Sequence, residues 1–126
     1  MEKLLLFGLD QTEFYKIKQI ASRIKLSCEQ ITPAQYGLTL GEIALGSKIS
    51  STQTSAFPAI PAESLLVMCG LSDKRMDKLL FELRRADVKL DYKAVLTQTN
   101  STWTLPRLMT EMQKEKAFYT HMGKRL

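Results

Sequence analysis

The chain has 126 residues, a formal net charge of +5 and a pI near 9.3, with 44% hydrophobic, 25% charged and 8% aromatic residues. That length suits one domain with one hydrophobic core, and the balance excludes disordered, fibrous and disulfide-scaffold classes. No apolar run approaches the roughly 20 residues that cross a bilayer.

The first apolar run, Leu4-Leu5-Leu6-Phe7, is strand-sized and passes into Gly8-Leu9-Asp10-Gln11 rather than a small-residue cleavage site, so no secretory signal is read and a cytoplasmic protein without membrane contact is expected. Phe14, Ile17, Ile20, Ala21 and Ile24 then recur at helical spacing, which predicts a helix from Gln11 to Lys25, with Asp10 and Glu13 close to a capping box. A strand follows from Leu26 to Thr32. Thr39-Leu40-Gly41-Glu42 is a capping box, and Leu38 before it is placed to staple onto Ile43, so the first half closes on a second helix.

Residues 46–62 are rich in Ser, Thr and Pro and contain Phe57-Pro58-Ala59-Ile60-Pro61, the pattern of an extended linker. Phe57 and Ile60 are expected either to pin it to the core or to meet a partner.

Leu65-Leu66-Val67-Met68-Cys69-Gly70-Leu71 echoes the first run, since both stop at Gly-Leu and lead into a helix. Met76, Leu79, Leu80, Leu83 and Ala86 form the stripe of a helix from Asp73 to Ala86, capped by Ser72 or Asp73. In Val88 to Leu96, Lys89, Asp91 and Lys93 alternate with apolar residues and predict a strand with one wet face. Trp103-Thr104-Leu105-Pro106 starts the last helix, with Thr104 as cap and Pro106 in the first turn; it is expected to reach Tyr119.

The order implies one domain, 1–126, of two pseudo-repeats (1–45 and 63–120) joined by linker 46–62. The fold class expected is α/β (α+β): a ferredoxin-like two-layer sandwich of two β-α-β halves with extra helices. A small four-stranded parallel sheet is the alternative; the half-polar last strand favours the antiparallel form.

The stretch from Glu63 to Tyr119 resembles a small bacterial family, domain of unknown function 3783, in its Leu65 to Leu71 opening, basic amphipathic helix, Leu90-Asp91-Tyr92-Lys93-Ala94-Val95-Leu96 strand and Trp103 to Pro106 helix start. The resemblance implies a bacterial cytoplasmic protein and carries no catalytic residues.

Chemistry is sparse. The chain has no P-loop, GxGxxG or GxSxG, so no enzyme and no cofactor are expected. Cys28 and Cys69 lack metal spacing, and the single histidine, His121, falls after the last predicted helix, so no metal is expected either.

Three binding surfaces remain. In the turn from Cys69 to Arg75, free amides at Gly70, the Ser72 hydroxyl, Lys74 and Arg75 suit an anion, and a helix dipole there lowers the pKa of Cys69; a buried structural cysteine beside an ordinary N-cap is the plainer reading. Arg75, Lys78, Arg84 and Arg85 suit nucleic-acid phosphates or simply a solvated helix face, and the central strands offer only Phe7 for base stacking. Phe57, Met109, Met112, Phe118 and Tyr119 suit an adaptable contact surface, if they are not core. The reading preferred is a non-catalytic interaction or regulatory module that self-associates or binds another protein, with nucleic-acid or phosphate binding as the alternative.

Overall fold

The computed structural model describes residues 2–46 and 63–122, with side chains described as far as Glu115 in the last helix. Its elements are β1 (Lys3–Phe7), α1 (Gln11–Arg23), β2 (Ser27–Gln30), α2 (Leu40–Ala44), β3 (Leu65–Cys69), α3 (Asp73–Arg85), β4 (Tyr92–Val95) and α4 (Leu105–Met122), with short 3-10 turns at Pro33–Gln35 and Asn100–Thr102. Strand, helix, strand, 3-10 turn and helix thus follow one another twice.

The mixed α/β class is as expected, with a single four-stranded sheet in the order β2-β1-β3-β4. β1 runs parallel to β2 and β3 parallel to β4, while β1 and β3 meet antiparallel at the centre. This excludes the all-parallel alternative. It also differs from the ferredoxin-like order, where the second and third strands form a hairpin. Here α2 and residues 47–62 separate those strands, and β2 pairs instead with the strand before it.

The layering differs too. Leu4 to Phe7 of β1 and all of β3 are unbroken apolar runs, and strands buried on both faces read that way. Leu4, Leu6, Leu66 and Met68 pack with Ile17, Ile20, Leu79 and Leu83 beneath α1 and α3. Leu5, Leu65, Val67 and Cys69 pack with Leu40, Ile43, Leu105, Leu108 and Met109 beneath α2 and α4. The result is three layers, not two.

Local chemistry sets the boundaries. α1 stops at Arg23, short of Lys25, which takes a left-handed turn (φ 61°). α3 likewise ends one residue early, and Asp87 repeats the left-handed turn (φ 55°). The last strand begins only at Tyr92, because Asp91 ties the chain: its carboxylate accepts from Ser64 N at 2.8 Å, and its own N–H donates to Ser64 Oγ at 2.9 Å. The Thr39 capping box forms on both sides, Thr39 N donating to Glu42 Oε1 at 2.9 Å and Glu42 N to Thr39 Oγ1 at 3.2 Å. α4 continues to Met122, so His121 falls within its span rather than after it. Phe57, Ile60 and nearly all of the linker lie outside the described residues.

Candidate functional site

α1 and α3 bury apolar undersides in one cluster and turn charged residues outward along the seam between them. Their backbones match position by position. Gly8 and Gly70 precede them at φ 74° and 75°, Asp10 and Ser72 cap them, and Leu26 N→Ala21 O and Val88 N→Leu83 O close them at 2.8 and 3.0 Å. At matching positions of the two helices the chain places Lys16 with Lys78 and Arg23 with Arg85, each lysine two turns before its arginine.

Beside three of these cations sits Glu82, a carboxylate-bearing side chain only 10% exposed, with Arg23 at 3.4 Å, Lys78 at 3.7 Å and Arg85 at 3.8 Å, all three more than half exposed. A depression of about 400 Å³ opens there, lined by Arg23, Glu82, Arg85 and Ala86. Lys16 lies 3.5 Å from Glu13 and from the Asp87 carbonyl. Beside the seam, Arg84 is exposed and Phe81 is 51% exposed, one turn from both Lys78 and Arg85. Asp73 and Asp77 are the exposed acids of the same helix.

The turn from Cys69 to Arg75 does not gather its expected residues into one anion cradle. Gly70 and Lys74 are exposed, but Ser72 Oγ accepts from Arg75 N at 3.3 Å as an N-cap. The Arg75 side chain leaves the turn altogether: it donates to Ile24 O at 2.7 Å and lies 3.1 Å from Glu2, satisfying the free carbonyl end of α1. Cys69 is buried, and burial pushes its thiol up to about 11 against the lowering pull of Lys3; the same cause raises Cys28 to about 11. The Cys69 shift opposes the activated thiolate considered for that turn.

The expected contact surface also moves inward. Met109 is fully buried in the core beneath α4 and forms no free surface, Met112 packs partly buried against that core, and Phe57 lies outside the described residues. What α2 exposes instead is Leu45, 77% accessible beside an apolar depression of about 300 Å³ that includes Ala44, Cys69 and Leu96.

Sequence reasoning found Lys78, Arg84 and Arg85 but missed Glu82 and gave Lys16 and Arg23 no role. The recurrence of a lysine and an arginine at equal steps from Gly8 and Gly70 was the available signal. Glu13 was read as half of a capping box; the Asp10 half forms at 2.8 Å, but the Glu13 carboxylate accepts from Lys89 N at 2.7 Å and so ties α1 to the segment between α3 and β4.

Among the described residues no group of three or more His, Cys, Asp or Glu side chains converges as metal ligands, and no helix is long and apolar enough to cross a membrane. Residues 64–119 match the model of a family described as a domain of unknown function, DUF3783, the family that the second half resembles. No curated protein and no solved structure matches the chain.

Proposed function

We propose that this chain, whose second half matches that family, is a non-catalytic binding module that docks the phosphate backbone of a nucleic acid on the outer face of α1 and α3. The observation that carries the reading is the group of exposed cations Arg23, Lys78 and Arg85, with Arg84 and the exposed Phe81 beside it. Long cationic side chains two turns apart on adjoining helices reach separate phosphates, and neutralising each phosphate releases condensed counterions. An exposed aromatic ring among them offers an unpaired base a stacking surface.

The test is fluorescence anisotropy with a labelled single-stranded RNA oligonucleotide across a salt series. Four phosphate contacts give a log–log slope near −3, so affinity is expected to fall roughly 50-fold between about 50 and 200 mM salt. Lys78→Ala with Arg85→Ala should flatten that slope by about 1.4, with a thermal melt verifying that the double variant is folded. Salt-independent binding, or a slope unchanged in the double variant, overturns the proposal.

Self-association is the second reading, and the accessible Leu45 at its apolar depression favours it. Like charge keeps two copies apart across the α1–α3 face, which leaves the α2 side for a second copy. Light scattering should then report a dimer that Leu45→Lys converts to monomer. A monomeric parent removes this reading.

The same proposal takes the chain as one domain of two pseudo-repeats acting in the bacterial cytoplasm. The matching cap and turn hydrogen bonds of α1 and α3 support the repeat, and two free thiols suit a reducing compartment.

A further inference from the structure

We infer that Glu82 is a built-in competitor of the phosphate: an internal counter-ion that weakens polyanion binding at the α1–α3 seam and keeps it readily reversible. The inference rests on the nucleic-acid reading and adds the residue that sets its strength.

The argument begins with position. The residue matching Glu82 on α1 is Ile20, 2% exposed, and an apolar side chain is what the seam of two packed helices ordinarily receives. At that place α3 buries a carboxylate, and a buried carboxylate is costly unless cations answer it. Three do: Arg23 from α1 and Lys78 and Arg85 from α3.

The two sides of these pairs differ in accessibility. The arginine and lysine side chains are 58–71% exposed, so each pair is weak by itself and an arriving phosphate can draw the cations outward. Glu82 cannot follow or leave, since its side chain is 10% exposed and fixed on a packed helix. An incoming phosphate therefore meets three cations with a fixed negative charge directly beneath them. At close range in a partly buried site that repulsion outweighs what Glu82 gains by ordering three exposed side chains.

Removing the charge tests this. In the full chain, Glu82→Gln keeps the shape and the hydrogen-bonding oxygen, and Glu82→Ile copies the residue that α1 carries at the matching position. Thermal melts verify that both are folded. Both are expected to bind the labelled single-stranded RNA roughly three- to tenfold more tightly than the parent, with a steeper salt slope, whereas Glu82→Asp keeps the charge and stays near the parent. If the parent binds and both neutral variants bind equally or more weakly, the inference falls while the nucleic-acid reading stands. If neither the parent nor the neutral variants bind, both fall. Binding that appears only in the neutral variants supports the inference in its strongest form.

Discussion

Gly8→Ala tests the junction where the two halves of the sheet meet. Gly8 follows β1 at φ 74°, and a Cβ built there would stand 2.5 Å from Glu63 O, 3.1 Å from Glu63 C and 3.2 Å from Ser64 Cα. All three are backbone atoms, so no side chain can swing aside. Nor is that backbone free to move, because Ser64 is pinned by Asp91 at 2.8 Å, and the Glu63 carboxylate accepts from Tyr92 Oη at 2.9 Å and from Gln113 Nε2 at 3.0 Å. A left-handed alanine costs about 1–2 kcal/mol, and forcing packed backbone apart costs about 1–3 kcal/mol more. A total of about 2–5 kcal/mol is expected, read in urea as a midpoint lowered by on the order of 1–3 M at unchanged slope. Lys25→Gly is the companion variant: it relieves the left-handed strain at φ 61° and should be neutral or slightly stabilising. A Gly8→Ala cost of about 1 kcal/mol or less would refute the close packing of β1 against the start of β3.

Two further outcomes follow from side chains that the structure reassigns. Arg75→Met removes the donors to Ile24 O and Lys25 O and is expected to cost about 1–3 kcal/mol in urea unfolding while changing RNA affinity less than twofold; a large affinity loss would return Arg75 to the binding face. For Cys28 and Cys69 the folded thiols hold their protons to about 11 and unfolded ones release theirs from 9.0, so this contribution to stability is intact below about pH 9 and is lost as pH rises towards 11. Urea midpoints that stay level from pH 9 to 11 would show that the thiols are not desolvated.

The apolar runs made much of the architecture legible. Leu4-Leu5-Leu6-Phe7 and Leu65-Leu66-Val67-Met68-Cys69 announce buried strands, and Thr39 with Glu42 announces a helix start that forms with both capping bonds. Strand order was harder, because it depends on which edge of a strand a neighbour pairs with, and the side-chain pattern of Ser27–Gln30 is the same on either side of the sheet. The Val88 to Leu96 alternation misled for a different reason: Asp91 spends its hydrogen bonds on Ser64, and that long-range pairing leaves no periodic trace. The Pro33–Gln35 turn did leave one, since Thr32 and Gln35 form a capping box across the proline, with Thr32 N donating to Gln35 Oε1 at 2.9 Å. In the candidate site, the cations of α3 are visible as a charge run, but nothing in the sequence separates Glu82 from Asp73 and Asp77 of the same helix. Only the packing of α1 beside α3 reveals that it is buried and shared.

The antiparallel contact of β1 with β3 has a consequence for how the chain opens. Both apolar clusters draw on both halves, Ile17 and Ile20 with Leu79 and Leu83 on one side of the sheet and Leu40 and Ile43 with Leu105 and Leu108 on the other. Neither half therefore has a foldon of its own, and amide exchange in the central strands should proceed only through global unfolding. The cooperativity of residues 2–46 and 63–115 is then set by the sheet they share.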